Sequence, residues 1–478
     1  MSEVANKKKH PKGLYLLFFT EMWERFSYYG MRAILILYLT KSLMEGGLGI
    51  DKQQASLLYG YFTGLVYFTP LIGGWLADKY LGQRNAITIG GIVMMLGQFT
   101  LFAFNTQNGM YAGLLLLIIG NGFFKPNIST LVGGLYPAGD SRRDSAFSIF
   151  YMGINLGALF APLIIGVLTD DLFSTKDASG NIVSFGYKYG FLAAGLGMLI
   201  GQVLFNTLAK KYLGKLGIRP AKLAEEKDEL LAAATLDGNN PSVLEGQGNP
   251  KFAAQQEQVS PTVEKQRITA IFIFFLFAVF FWAGFEQAGS SLSLYTDKFI
   301  NRNFMGYEIP TSFFQSVNPI FIVVLAPLFA IFWNTKLGSR LTTPLKMGIG
   351  MVILGIGFFF MLGAVAERGG DSADPTVKAG LMWLIMTYLF HTIGELCLSP
   401  VGLSVVTKLS PPKLASLLMA VWLLAASVAN FIGGYLAATV ERLGAGEVFT
   451  YISGFVICCG LLLILLNKVI VKMMHGVR

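Results

Sequence analysis

The chain has 478 residues, of which 54% are hydrophobic and 14% are charged, and its formal net charge is +9. Soluble domains carry about 25% charged residues, so this composition excludes an ordinary soluble protein and indicates a polytopic membrane protein. The three cysteines lie in apolar segments, without the spacing of a disulfide framework or of metal ligands. We therefore expect neither a bound metal nor a cofactor.

Apolar segments of about 20 residues or more, the length that crosses a hydrocarbon core of about 30 Å, recur along the chain. They predict an all-α membrane protein with twelve transmembrane helices. Several segments exceed about 25 residues, which requires helices that tilt or project beyond the bilayer. In chain order the predicted spans are 13–41, 55–80, 84–105, 110–135, 145–170, 187–209, 268–300, 312–336, 343–367, 377–408, 413–441 and 447–472.

The basic residues predict the orientation of these spans. With the N-terminus in the cytoplasm, the cytoplasmic tails and loops hold 25 of the 37 lysines and arginines, as the positive-inside rule expects. The positive net charge therefore reflects membrane topology rather than nucleic-acid binding, and both termini are predicted in the cytoplasm. The basic tail 1–12 leads directly into a span, so we expect no cleavable signal peptide.

A polar segment divides the spans into two groups of six. Residues 210–267 contain no spanning run, and we predict a cytoplasmic linker with a short surface helix near 221–234. The loops DKYLGQR (78–84) and NTKLGSR (334–340) match in register at equivalent positions, which predicts a duplicated six-helix unit with pseudo-two-fold symmetry. The predicted domains are a tail at 1–12, a bundle at 13–209, the linker at 210–267, a bundle at 268–472 and a tail at 473–478.

The first span carries an unusual concentration of charge on one helix face, within an arc of roughly 100°. Ionisable groups inside a membrane are costly and mark functional sites by default, so this face should meet a wet cavity or other charges. The alternative is a buried salt bridge that only fixes helix packing, an interaction that is weak evidence of stabilisation. The residues of this face are Glu21, Glu24, Arg25, Tyr28 and Arg32, with Tyr29 at its edge.

Four further ionisable residues lie within predicted spans. The cations of the spans cluster in the first half of the chain, and the lone acids lie in the second half. Facing bundles would then present a positive and a negative pole, which suits a zwitterion with a carboxylate and an amine. The four residues are Lys125 on the fourth span, Glu286 on the seventh, and His391 and Glu395 on the tenth.

Aromatic and amide residues fall at related depths in these spans. Taken one at a time, each is more often a packing residue than a ligand contact. Together with the charged residues they are candidates for the lining of a binding cavity. They are Tyr29, Tyr67, Asn155, Trp282, Asn318 and Trp422.

Several segments resemble motifs of known transporters. GGWLADKYLGQR, residues 73–84, is similar, with an imperfect match, to the loop motif G-x-x-x-D-x-x-G-x-R of the major facilitator superfamily. Five further blocks, spread over nearly the whole chain, resemble the proton-dependent oligopeptide transporters, a branch of that superfamily. They are E-x-x-E-R at Glu21, Glu24 and Arg25; F-Y-x-x-I-N-x-G at 150–157; GNGFFKPN around Lys125; FWAGFEQ around Glu286; and GELCLSPVGLS, which contains Glu395 and Ser399.

The resemblance implies the major facilitator fold and a symporter that imports di- and tripeptides by alternating access, driven by the inward proton gradient. The peptide would bind in a central cavity between the two bundles. Proton coupling is implied for Glu21, Glu24, Arg25 and Glu286. Peptide binding is implied for Arg25, Tyr29, Arg32, Tyr67, Lys125, Asn155, Trp282, Asn318, Glu395, Ser399 and Trp422. The implied gating pairs are Arg32 with Glu286 on the outer side and Lys125 with Glu395 on the inner side.

Two features depart from the family pattern. Animal members carry a histidine on the second helix where Gly60 stands here, so carboxylates must carry the proton. Many bacterial members insert two hydrophobic helices between the halves, whereas 210–267 is too polar for that, which again predicts twelve helices. A histidine can titrate near neutral pH, but we interpret His391 as a helix-facing or hydrogen-bonded bystander.

Other functions stay open on the sequence. The nearest alternative is a transporter of the same fold that carries nitrate, a drug or another small organic acid, although a simple anion has no need of Glu395. A membrane hydrolase that uses Glu21 and Glu24 would lack a nucleophile motif, and a channel or receptor suits the two-bundle repeat less well. We expect a monomer in the lipid bilayer of the cell (inner) membrane, with peptides and protons as partners.

Overall fold

The computed structural model describes residues 9–137, 140, 142–220, 260–411 and 414–477. Almost all of this part of the chain is helical, which confirms the predicted all-α class. The greater part of the predicted linker 210–267, including the helix expected near 221–234, lies outside the described residues.

The first half of the protein contains six long helical segments. Its helices are α1 (Lys12–Thr40), α2 (Lys52–Phe68), α3 (Pro70–Leu76), α4 (Gln83–Ala103), α5 (Gln107–Gly134), α6 (Arg142–Gly166) and α7 (Tyr187–Leu213). Helices α2 and α3 continue into a π turn at Ala77–Leu81 and form one segment, and α6 continues into a π turn at Val167–Leu172. A short antiparallel hairpin follows α6 and is formed by β1 (Thr175–Lys176) and β2 (Ile182–Ser184).

The second half repeats this plan with one conspicuous helix break. Its helices are α8 (Pro261–Phe285), α9 (Ser291–Phe299), α10 (Val317–Trp333), α11 (Thr343–Glu367), α12 (Leu381–Leu409), α13 (Ala415–Leu443), α14 (Ala445–Leu465) and α15 (Asn467–Met473). A 3₁₀ turn at Glu286–Gly289 joins α8 to α9, and another at Thr311–Ser316 precedes α10. The hairpin of β3 (Asn303–Phe304) and β4 (Tyr307–Glu308) lies between α9 and α10.

Local sequence explains where several helices begin. The Asp51 carboxylate accepts hydrogen bonds from the backbone N–H groups of Gln53 and Gln54 at 3.0 and 3.3 Å and caps α2. Ser260 caps α8, and Pro261 occupies its first turn, a position where proline costs no hydrogen bond. Helix α8 therefore begins seven residues before the predicted start at 268. The prediction followed apolar residues, and the first turns of α8 are polar.

Other predicted bounds shift because of backbone pairing. The predicted tenth span starts at 377, but α12 begins at Leu381. The backbone of Ala379 is instead bonded to the end of α9 and the loop after it: its N–H donates to the carbonyl of Phe299, the last residue of α9, and its carbonyl accepts from the N–H of Asn301, both at 2.8 Å. The segment before α12 is thereby held as an extended strap rather than as a helical turn.

Within the described chain, eleven helical segments are long and apolar enough to cross a membrane. Helix α1 has 29 residues and comparable length, but its cluster of acidic and basic side chains lowers its hydropathy. A multi-pass membrane fold is therefore confirmed, whereas the count of twelve spans stays a prediction that depends on α1.

The two ends of the helical assembly are distinguished by their contacts. At the end we call the linker end, the beginning of α1 lies against the end of α7: a Cβ atom on Gly13 would lie 2.9 Å from Leu213 Cδ2. At the opposite end, which we call the far end, Lys41 Nζ of the first half is 2.8 Å from Asp297 Oδ2 of the second half. The far end is therefore a place where the two halves meet.

Buried apolar side chains form two clusters. One draws on residues 14–213 together with Leu294, and the other draws on residues 270–474. This division supports the two bundles at 13–209 and 268–472, which we propose as the domains of the protein.

Helices α2 and α13, one from each half, cross at unusually short range. A Cβ atom on Gly60 would lie 2.5 Å from Gly434 Cα and 2.9 Å from the carbonyl oxygen of Asn430. One residue further along each helix, the hydroxyl oxygens of Tyr61 and Tyr435 are 2.5 Å apart. Any side chain at Gly60 would force the two halves apart at this crossing.

We predict that Gly60→Ala lowers the melting temperature of the purified protein by several degrees, because overpacking a tight contact costs about 1–3 kcal/mol. Thermal unfolding in detergent measures this. Gly454→Ala is the matched control, since a Cβ atom there would meet nothing within 4 Å and both changes gain the same helix propensity. Equal melting temperatures for the two variants would contradict the packing argument.

Candidate functional site

A cavity with about 1010 Å³ of empty volume, part of it open to solvent, lies between the two halves. Its walls are built from α1, α2 and α6 of the first half and from α8, α10 and α12 of the second half. The predicted site residues that line it are Tyr29, Arg32, Tyr67, Asn155, Trp282, Glu286, Asn318 and Glu395. The structure therefore brings residues from six helices of both halves to one polar cavity.

An ion pair between Arg32 and Glu286 crosses the cavity wall and joins the two halves. Arg32 Nη2 donates to Glu286 Oε2, and both side chains are about nine-tenths buried. Arg32 Nε also donates to the hydroxyl oxygen of Tyr59 at 2.7 Å. Glu286 is the first residue of the 3₁₀ turn that ends α8, so the helix break lies at the carboxylate that meets Arg32. The two residues that the family resemblance pairs are therefore in contact in this conformation, and their gating role stays a prediction.

The E-x-x-E-R residues form a separate buried cluster on α1. Arg25 Nε is 3.0 Å from Glu21 Oε1 and also contacts Glu24 Oε2. The amide of Asn121 on α5 donates to Glu24 Oε1 at 3.4 Å. All three charged side chains are at most 4% exposed, and none of them lines the cavity in this conformation. Two carboxylates thus share one guanidinium in a buried position, and the Lys125 ammonium is a second cation near them.

Lys125 on α5 lies near this cluster and against an aromatic ring. Its Nζ is 4.0 Å from the ring centroid of Tyr67, a distance typical of a cation–π contact. Within the described residues no ion pair joins Lys125 to Glu395. The structure therefore contains the expected outer pair and does not bring the two members of the expected inner pair together.

Glu395 is instead held by an amide from a neighbouring helix of its own half. Asn318 Nδ2 donates to Glu395 Oε2 at 2.9 Å and to Thr392 Oγ1 at 3.0 Å. Thr392 in turn donates to the backbone carbonyl of Tyr388 at 2.8 Å. This network fixes the carboxylate on the cavity wall with acceptor capacity to spare.

Four of the predicted peptide contacts do not line the cavity: Arg25 and Lys125, described above, and Trp422 and Ser399. The Trp422 side chain is 8% exposed and belongs to the apolar cluster of the second half, where a Cβ atom on Gly402 would lie 2.3 Å from its ring. Ser399, one helical turn beyond Glu395, is half-buried and does not line the cavity. In this conformation Trp422 and Ser399 are neighbours of the site rather than parts of its wall.

Sequence reasoning missed several residues of the cavity wall and its supports. Tyr59 lies two turns before Tyr67 on α2, and Tyr151 lies one turn before Asn155 on α6, so helical spacing from a recognised site residue was the available signal. Other lining residues that were not assigned are Phe285, Gln315, Tyr388 and His391. His391 was expected to be a helix-facing or hydrogen-bonded bystander; it is buried, but neither ring nitrogen has a hydrogen-bond partner in the described chain.

Two helical halves around a shared cavity lined by charged side chains are typical of a membrane transporter of the major facilitator type. A family model described as the POT family matches residues 84–449, and the chain belongs to this family. The expected recognition and fold class are therefore confirmed. Members of this family are transporters, so the protein is not an enzyme.

The relatives extend over almost the whole chain. The uncharacterized transporter YclF of Bacillus subtilis is 38% identical over 491 residues, covering 98% of this chain and 96% of the relative. The di-/tripeptide transporter of Lactococcus lactis subsp. cremoris is 34% identical over 504 residues, covering 98% and 97%. A crystal structure of a peptide transporter POT in complex with sulfate aligns with a TM-score of 0.82 at 35% identity, covering 98% of this chain and 96% of that chain.

We predict strong energetic coupling between Arg32 and Glu286. Arg32→Gln or Glu286→Gln alone leaves one buried charge unpaired, which costs about 3–5 kcal/mol, whereas the double variant leaves none. The double variant should therefore be more stable than the sum of the single changes implies, by at least 1 kcal/mol, in a double-mutant cycle of unfolding free energies.

The control is the pair of Lys52 and Glu441, 3.7 Å apart with side chains about one-third exposed. Such exposed pairs contribute at most about 1 kcal/mol, so its cycle should be close to additive. Additive behaviour at Arg32 and Glu286 would contradict the assignment of a desolvated pair.

Proposed function

We propose that the protein is a proton-coupled symporter that imports di- and tripeptides by alternating access. The observation that carries this proposal is the cavity between the halves, in which a fixed carboxylate faces a wall that carries a guanidinium. Membership in the POT family, with a di-/tripeptide transporter among its relatives, supports the same substrate class.

The two poles of the cavity fit the two ends of a peptide. Glu395 with Asn318 would hold the amino group, since a carboxylate and an amide oxygen accept its protons. Arg25, Arg32 and Lys125 would hold the carboxylate on the opposite side. Lys125 does not line the cavity in this conformation, but its Nζ lies over the ring of Tyr67, which does. Tyr29, Tyr67, Asn155 and Trp282 would line the space for side chains and backbone.

The conformation supports a particular step of the cycle. Contacts across the halves at Lys41–Asp297, Arg32–Glu286 and Tyr61–Tyr435 close the far end, while Lys125 and Glu395 are unpaired with each other. We interpret this as the state in which the cavity is accessible from the linker end. With both termini and the linker in the cytoplasm of a cell (inner) membrane protein, the cavity would face inward.

Protonation of Glu286 would favour the opposite transition, in which the far end opens. A proton on Glu286 would remove one charge of the buried pair and release Arg32, which would let the far end open. Peptide bound between Lys125 and Glu395 would then draw the linker ends of the bundles together. Because a ligand that binds both states equally shifts nothing, the proton and the peptide must each favour one state.

A second proton site is offered by the cluster on α1. Glu21 and Glu24 share Arg25 in a buried position, so a proton on either carboxylate would remove one buried negative charge. If the peptide carboxylate competes for Arg25, that neutralisation becomes more favourable. Peptide and proton binding would thereby be linked on one helix. The complete cavity belongs to a single chain, which supports a functional monomer.

We predict that purified protein in proteoliposomes accumulates labelled dialanine only under an inward proton gradient. Glu21→Gln should abolish gradient-driven accumulation while it retains exchange of peptide across the membrane, because the variant can bind peptide but cannot release the proton. Glu45→Gln is the matched control, since Glu45 is a loop carboxylate at the far end; it should accumulate dialanine as the wild type does.

The outcomes separate the remaining possibilities. Uptake that survives in Glu21→Gln would keep the substrate and move the proton site to Glu286. Absence of dialanine uptake by folded protein, together with uptake of nitrate or another organic acid, would reject the peptide assignment. Recovery of intact dialanine from the vesicles would confirm transport without hydrolysis.

A further inference from the structure

Among the described residues that line the cavity, His391 is the one whose side-chain polar atoms are fully buried without a hydrogen-bond partner. Its side chain is 1% exposed, and neither ring nitrogen makes a hydrogen bond within the described chain. On the same helix Thr392 and Glu395 are both hydrogen-bonded. A buried donor or acceptor without a partner costs desolvation free energy that nothing returns, so packing alone is a poor reason for an imidazole at this position.

The ring has a defined orientation. A Cβ atom on Gly357 of α11 would lie 2.6 Å from His391 Cδ2 and 3.0 Å from Nε2, so the glycine makes room for this edge of the imidazole. Because Nδ1 lies across the ring from the Cδ2–Nε2 bond, it points away from Gly357, and both ring nitrogens are buried. The ring also packs on Phe358, with centroids 4.7 Å apart.

Phe285 is a neighbour of this imidazole in the cavity lining. The two ring centroids are 6.3 Å apart, and Phe285 also lines the cavity and packs edge-on against Trp282 at 5.1 Å. It immediately precedes Glu286, the partner of Arg32. Release of that ion pair would allow the end of α8 to move, and movement of the Phe285 ring would uncover the imidazole to a ligand.

We propose that His391 is a specificity-determining residue that hydrogen-bonds to a hydroxyl or carboxamide on a side chain of the bound peptide. This inference rests on the proposed peptide transport function. An imidazole with one proton offers one donor and one acceptor, which matches an uncharged polar group in either orientation. A side-chain carboxylate fits less well, because Glu286 and Glu395 line the same cavity.

The test compares peptides of equal shape. Ala-Thr and Ala-Val differ by a hydroxyl in place of a methyl group, and each competes with labelled dialanine for uptake into proteoliposomes and for binding to the purified protein. One net hydrogen bond corresponds to roughly a three- to tenfold preference. We expect the wild type to favour Ala-Thr by this factor, His391→Leu to lose or invert the preference, and His391→Gln to retain it.

The measured quantity is the ratio of the Ala-Val and Ala-Thr concentrations that halve dialanine uptake or binding. This ratio is independent of expression level and of any loss of overall activity. An unchanged ratio in His391→Leu, or a wild type that prefers Ala-Val, would overturn the inference while dialanine uptake leaves the proposed function intact. If wild-type protein neither binds nor transports any of the three peptides, the proposed function and this inference both fail.

Discussion

The buried ion pair between Arg32 and Glu286 is the constraint on which the rest of the site depends. It is the point where α1 of one half is bonded to the end of α8 of the other half, within a cavity wall. Desolvating two charges is expensive, and the pair is tolerable only while both partners stay together. Loss of either charge leaves the other uncompensated, and in the proposed mechanism a proton on the Glu286 carboxylate therefore changes which conformation is favoured. Chemistry at one atom is thereby connected to the separation of two bundles.

The requirement that buried charges be paired also explains how α1 can carry so many of them. Arg25 is flanked by two carboxylates, Arg32 is held by Glu286 and Tyr59, and Lys125 rests on the Tyr67 ring. Each of these cations has a partner in this conformation. In the proposed mechanism a peptide carboxylate takes the place of that partner, or a proton neutralises it. Exchanging the partner of a buried charge costs less than leaving that charge without a partner, and the proposed coupling of peptide and proton binding rests on this difference. The tight crossing of Gly60 and Gly434 supplies the geometry that lets the pair close.

Much of this arrangement could be predicted from the sequence because membranes impose simple rules. Apolar length located the long segments, and the cost of buried charge singled out Arg32, Glu286 and Glu395, which do line one cavity. The polar first turns of α8 and the strap before α12 were missed, since capping and backbone pairing leave no apolar signal. The prediction failed to separate core from cavity for Trp422, which lies in the apolar cluster of the second half. Aromatic residues have the same helical spacing in a core as in a cavity wall. The separation of Lys125 from Glu395 could not be predicted, because it belongs to one state of a protein with several.

Distance measurements across the far end test the central claim most directly. Leu43 and Met305 are exposed loop residues on opposite halves at that end, and spin labels can be placed at both through Leu43→Cys and Met305→Cys in a background without the native cysteines. The account predicts one short distance in otherwise native protein and a second, longer population when Glu286→Gln is added, with no such change for Glu441→Gln as the control. A distance distribution that Glu286→Gln leaves unchanged would contradict the claim that this ion pair holds the far end closed.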